Sequence, residues 1–364
     1  MIGTLRLERH YYHCRACQQG FCPWDDVLGL TPAALSPAAE EVTCLAGVQA
    51  SFAEASTKTL PKLAGLRLGE STIERTTEAA GQRVTQALAA GQTFGPAQDW
   101  AWHKDADGQT VAYIAADATG VGQQGPGGAK ADGRMANVAV LYNPVPEDRQ
   151  AWANPAARRR PEWQARYLAS LDSLGDWGQV LRRQGAQMGM DRAQRWIALS
   201  DGGSGLEAFL RSHFPRVEAV ILDFYHAAEH LGKLAKAWQP GDEAAAQALQ
   251  GQWAHQLKHE GGQALLATLR ALDLRGKRAA TRAVYEEEVG YFANHVQRMD
   301  YPAYRARGWQ IGSGPVESAC KRVVGQRLKG AGMRWGAEGA DAVCHVRALF
   351  LSDPGQWEAF WSRN

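Results

Sequence analysis

What the chain lacks narrows it first. No stretch of its 364 residues approaches the ~20 consecutive apolar residues of a membrane-spanning helix. Met1 is not followed by the basic and apolar regions of a secretory signal, so a cytoplasmic protein is expected. Cysteine is sparse: Cys14, Cys17, Cys22, Cys44, Cys320 and Cys344 do not make a disulfide framework in a chain of this type. Neither sign of charge dominates, since 40 Lys and Arg face 38 Asp and Glu. Bulk charge therefore does not argue for nucleic acid, and any such partner must be read from local clusters. The glycine-rich stretch 120–133 lacks the Gly-Lys-Ser/Thr signature of a phosphate loop and reads as a hairpin loop. What is abundant is tryptophan, thirteen in all, expected mainly in cores and interfaces.

The first thirty residues carry one pair of metal-type ligands. Cys14-Arg15-Ala16-Cys17 has the spacing of a zinc knuckle, and Leu5–Tyr12 alternates like the strand that precedes one. A structural zinc takes four ligands, and a second pair is not evident; His10, His13 and Cys22 are the candidates. The expectation is a truncated zinc-ribbon-like segment over 1–30, with Met1 starting partway through the module and Cys14 and Cys17 as a partial zinc site. From Ser36-Pro37 the pattern turns helical, with Val42, Leu45, Val48 and Phe52 at helical spacing. A second helix ends near Gly65, and Ser71-Thr72-Ile73-Glu74 fits a capping box opening a third that runs to Leu88. Residues 31–92 are thus a helical domain. It is either a helix-turn-helix reader of DNA or plain helical packing, because Glu70, Glu74 and Glu78 make the last helix acidic at its start.

Beyond a polar linker at Gly91–Asp99 the period changes. Thr110–Asp117 reads as a buried strand ending in an acid, and Ala136–Tyr142 as the returning strand. Residues 144–190 read as irregular and then helical. Their run Arg158-Arg159-Arg160 is either a solvated loop or a phosphate contact. Arg195–Ser200 is a second strand, ending at Asp201-Gly202-Gly203, and Val217–Leu222 is a third, ending at Asp223. The chain then reads as helical to about Tyr301, with a helical insertion at about 230–300. A loop, Gly312-Ser313-Gly314-Pro315-Val316-Glu317-Ser318, follows. Pro315 suits the first position of a helix continuing through Ala319, Val323 and Leu328, with Glu317 in its first turn. Behind it lies a basic tract, Lys321, Arg322, Arg327, Lys329 and Arg334, a candidate DNA track. Trp335 is either a base-stacking residue or a core residue. A last helix is expected around Ala340–Leu351, and 352–364 as a tail.

A hairpin, then strand-helix-strand, then a long helical stretch and a glutamate on a helix describe a mixed α/β fold with an RNase H-like core over 105–351. In that arrangement Asp117, Asp201 and Glu317 converge. Three close carboxylates repel one another unless cations neutralise them, and an all-oxygen ligand set favours two Mg²⁺ or Mn²⁺ ions. The chain resembles bacterial insertion-sequence transposases of the DDE class, of the ISKra group. The resemblance rests on Tyr11–Cys17 with Gly20-Phe21-Cys22-Pro23, on Ala116-Asp117-Ala118-Thr119-Gly120, and on Ser200-Asp201-Gly202. It rests further on Leu222-Asp223-Phe224-Tyr225-His226, Gly312–Ser318 and Arg327–Trp335. It implies a metal-dependent polynucleotidyl transferase acting on double-stranded DNA, at element ends and target, as a homo-oligomer associated with the nucleoid. It implies Asp117, Asp201 and Glu317 as the triad, with Asp223 and His226 as an Asp-x-x-His element. Asp223 could instead be the second metal ligand; Asp201 is favoured because its glycine turn opens the sheet edge. A nuclease without strand transfer, or an inactive DNA-binding remnant, are the alternatives.

Overall fold

The computed structural model describes residues 8–30, 35–144, 164–203, 205–353 and 355–362. The Leu5–Leu7 part of the expected first strand and the run Arg158–Arg160 lie outside them. A two-stranded antiparallel pair, β1 (Tyr12–His13) and β2 (Gly20–Phe21), precedes α1 (Pro23–Val27). Next come α2 (Pro37–Gln49), α3 (Phe52–Glu54) and α4 (Leu60–Leu63), the last two joined by a π-helical turn, and then α5 (Glu70–Ala89). Ser36 caps α2 as its sequence suggests, accepting from the Ala39 N–H at 3.3 Å. The Ser71 capping box does not form: the N-cap lies two residues earlier, at Gly69, and α5 starts at Glu70 without a side-chain cap. The long helix α5 packs on α2 and on the later helix Ala337–Leu351, burying Ile73, Thr77, Ala80 and Val84. At its crossing a Cβ on Gly81 would sit 2.1 Å from the Ala342 carbonyl oxygen, so only glycine permits this approach.

A mixed six-stranded sheet follows, built from β3 (His103–Lys104), β4 (Thr110–Gln124), β5 (Lys130–Asn143), β6 (Gln164–Ser170), β7 (Arg195–Ser200) and β8 (Val217–Leu222). The helix α6 (Leu174–Gln187) links β6 to β7, and α7 (Leu206–His213) links β7 to β8. The strand order is β6-β5-β4-β7-β8, with β3 paired to the start of β4. In that order β5 is antiparallel to both β6 and β4, and β4, β7 and β8 run parallel. On the far side of β8 the chain is helical: α8 (Phe224–Trp238), α9 (Glu243–Arg270), α10 (Ala279–His295) and α11 (Tyr301–Ala306). Then come α12 (Gly314–Ala319), a π-helical stretch at Cys320–Gly325, α13 (Gln326–Leu328), α14 (Ala337–Leu351) and α15 (Gln356–Trp361). The fold is therefore mixed α/β with a central mixed sheet.

Alternation along β4 sends Val111, Tyr113 and Ala115 to one face and Ala112, Ile114 and Ala116 to the other. Both faces are buried, the first under α8–α10 and α12 and the second under α5–α7 and α15. Coverage on both sides explains why these strands read as unbroken apolar runs. No helix among the described residues is long and apolar enough to cross a membrane.

Three larger expectations need correction. The segment expected as a tail after Leu351 carries α15, whose Trp357, Phe360 and Trp361 pack into the core. Asp117 does not end its strand: β4 continues to Gln124 and β5 begins at Lys130, so most of the glycine-rich stretch is paired strand and only Gly125–Ala129 turns. The later segment around Trp335 lies against this extension. Gln124 N–H donates to the Trp335 carbonyl, and Trp335 N–H to that of Gly122. Strand β6 was not anticipated either. Its central Arg166 breaks the apolar run, yet is buried and bound to Asp353, Gln184 and Gln187 from distant parts of the chain.

Candidate active site

The site forms where β4, β7 and β8 meet the loop before α12. Asp117 lies on the β4 face that α12 covers, half-buried. Burial first, and the Asp201 carboxylate second, push its pKa above the ordinary value. Opposing these, the Ala118 N–H donates to Asp117 Oδ1 at 2.6 Å, and the Cys320 thiol lies 3.5 Å from Oδ2. His226 acts on Asp117 in the same sense as these two donors. The Cys320 thiol is itself pushed well up, by burial and then by Asp117. Asp117 thus sits in the field of Asp201, and among the described residues no Lys or Arg forms a salt bridge with either acid.

Asp201 follows the last residue of β7, half-exposed, where Gly202 takes φ +93°. That left-handed conformation turns the chain sharply at little cost only because the residue is glycine. One oxygen of Asp201 accepts from the Gly203 N–H at 2.8 Å, and its backbone carbonyl accepts from the Tyr291 hydroxyl at 3.3 Å.

Asp223 is placed differently. It is buried and caps α8 through the Tyr225 N–H at 2.7 Å, while its second oxygen accepts from the Ser313 hydroxyl. The Phe224 N–H also donates to the Ile311 carbonyl at 2.9 Å. Both carboxylate oxygens of Asp223 are therefore engaged, one capping α8 and the other tying the end of β8 to the loop that presents Glu317. Glu317 sits in the first turn of α12, exposed, one turn before Cys320. Val316, Ala319 and Cys320 face the core and fix the helix beneath it.

A second row of groups stands behind the acids on α8 and α10. His226 Nε2 lies 3.3 Å from His230 Nε2, and His230 Nδ1 lies 2.5 Å from Glu288 Oε2. Glu288 is buried, and Tyr291 stacks on the His230 ring with centroids 3.7 Å apart. With Nδ1–H directed at Glu288, His230 presents a lone pair to His226 and orients its ring. Cys320, His230, Glu288, Tyr291 and Ser313 were not singled out from the sequence. The one available signal was the spacing of His226 and His230, four apart on a helix.

The basic tract divides. Lys321, Arg322, Lys329 and Arg334 are exposed. Arg327 is buried, donating to the Gly47 carbonyl at 2.7 Å with its guanidinium over Phe52 and Trp335. Trp335 is buried as well, its indole N–H donating to the Leu328 carbonyl. These two are corrections to the DNA-contact set: both hold α13 to the helical layer, and neither offers a face to a ligand.

As a cation site, Asp117 and Asp201 have the right chemistry: hard oxygen donors whose mutual repulsion a divalent ion would relieve. Their ligand atoms and those of Glu317 do not all lie within 4.8 Å of one another. At the front of the chain Cys14 and Cys17 are exposed and adjacent, with the Cys14 thiol lowered chiefly by hydrogen bonds to Cys17. Among the described residues no third ligand joins them within that same distance. No protein-family model matches the chain, and no curated protein matches it either.

Proposed function

We propose that this chain is a DDE transposase with an RNase H-like core, cutting DNA at the ends of an insertion sequence and joining the freed strand to target DNA. The observation that carries the reading is the pairing of Asp117 with Asp201 on neighbouring strands, close enough that the charge of Asp201 opposes ionisation of Asp117. Structural ion pairs do not look like this, because folding selects opposite charges as neighbours. The strand order supports the same reading. Counting from β4, it runs third, second, first, fourth, fifth, with one acid on the first strand and the next just after the fourth.

The roles follow from placement. Asp117 and Asp201 would hold the cations at the sheet, with Glu317, in the first turn of the α12 that packs on β4, as the third acid. When bound, two Mg²⁺ or Mn²⁺ ions lower the pKa of an attacking hydroxyl and stabilise the leaving oxygen of a phosphodiester. Asp223 acts as a positioning residue, since its oxygens are already used by Tyr225 and Ser313. His226, steadied by His230 and Glu288, stands where it can donate to or accept from a phosphate or a water. The exposed Lys321, Arg322, Lys329 and Arg334 offer a basic path for the phosphate backbone leaving the site.

The test is Mn²⁺-dependent nicking of a duplex carrying the element ends, followed by joining of the product to a second duplex. Asp117→Asn, Asp201→Asn and Glu317→Gln should each lower nicking by about 10³-fold or more. Asp223→Asn should lower it less and shift melting as well. A wild-type chain that binds end DNA without nicking it would sink the enzymatic reading. Nicking without joining would leave a nuclease. An Asp201→Asn chain that cuts at the wild-type rate would move the metal ligand to Asp223.

A further inference from the structure

The end of β6, beyond the acid site, holds another group of ligand-type side chains. Asp172 follows β6 and is exposed. Asp341 and His345 stand one turn apart on the face of α14 that packs on β6. The Ser170 hydroxyl and the Leu171 N–H both donate to Asp341 Oδ1, at 2.7 Å each. That fixes the carboxylate and leaves Oδ2 free, 3.5 Å from His345 Nε2. His345 is only 5% exposed, and neither of its ring nitrogens has a hydrogen-bond partner among the described residues. The 3.5 Å approach is close enough for an ion pair but lacks hydrogen-bond geometry. A buried imidazole without partners is uncommon, because each orphaned nitrogen costs about 1–3 kcal/mol.

One ring nitrogen and one oxygen from each of two carboxylates lie within 4.8 Å of one another. In a tetrahedral zinc site with bonds of about 2.0–2.2 Å, ligand atoms lie about 3.3–3.6 Å apart. The Asp341–His345 separation already matches, and the exposed Asp172 carboxylate, within 4.8 Å of both, closes the third side by moving towards them. The hydrogen bonds on Asp341 Oδ1 are the outer support that metal-binding carboxylates have. One nitrogen with two oxygens suits a borderline ion better than Mg²⁺ or Ca²⁺.

We propose that Asp172, Asp341 and His345 bind a divalent transition-metal ion, zinc foremost, that clamps α14 to the end of β6. Three protein ligands leave a fourth position for water, on the side where Asp172 meets solvent. The site shares no residue with the acid site and stands whether or not the chain acts on DNA.

The experiment is equilibrium dialysis of the chelator-stripped full chain against Zn²⁺, with metal counted per chain. A background of Cys14→Ser, Cys17→Ser and Asp117→Asn removes the cysteine pair and disables the acid site, the two other metal sites considered above. One zinc per chain is expected in that background, with affinity falling about tenfold or more in Asp172→Ala and in His345→Ala. Zinc should also raise the melting temperature of the background protein and not of the variants. Asp172→Ala changes only an exposed side chain, so it reports even if His345→Ala fails to fold. No zinc in the background protein, or unchanged affinity in Asp172→Ala, overturns the proposal.

Discussion

Two polar groups in the same sheet have opposite character. On β6, Arg166 is buried with Asp353 as its ion pair, and Gln184 and Gln187 accept from it at 2.5 and 2.7 Å. Every charge there meets its complement. On β4, Asp117 meets another carboxylate and a thiol instead, and its remaining donor is a single backbone N–H. The first arrangement is what folding alone favours. The second works against folding and persists because the surrounding strands determine it.

The contrast breaks most visibly at Arg166. Arg166→Ala strands Asp353 in the core, and urea unfolding should show a loss of about 3–5 kcal/mol. A smaller effect of opposite sign sharpens it at the other pole. Because the folded-state pKa of Asp117 is raised, the folded chain holds that proton more tightly than the unfolded one. Ionised Asp117 therefore costs stability as pH rises above its ordinary value of 3.8 and reaches its full cost above the raised value. Asp117→Asn should stabilise the chain at pH 7, and the gain should vanish below about pH 4, where the carboxyl is protonated in both states. Chemical melts across pH without divalent ions would check this; a destabilised variant at pH 7 would refute it. The smallest test separates two neighbours of the basic tract. Lys329→Ala should reduce the slope of log affinity for DNA against log salt by about one. Arg327→Met should leave that slope alone and lower the melting temperature instead.

What was legible in the sequence follows from range. Strands β7 and β8, the acids at their ends and the Pro315 helix start are signalled by residues within a few positions of one another. The strand β6 was hidden because Arg166 is polar in sequence and apolar in effect once Asp353, 187 residues away, neutralises it. Burial of Arg327 depends on Gly47, Phe52 and Trp335, and the His230–Glu288 contact joins two helices. Neither has a local signature. The extension of β4 was masked by glycines that ordinarily break strands, here tolerated where the 330–335 segment passes close to Gly122.

The link from Ser313 to Asp223 spans 90 residues of chain and closes them into a loop whose two ends are held by side chains and backbone alone. The helices between are thereby relieved of any duty to measure distance. Glu317 takes its position from the end of β8, so its separation from Asp201 along the chain is not a ruler for the site. Helical turns could be added or removed at the loop 271–278, remote from that link, without moving the glutamate. The spacing between the two acids along the chain is in this sense free to change at that loop, while Tyr291 and Glu288 of α10 stay beside Asp201 and His230.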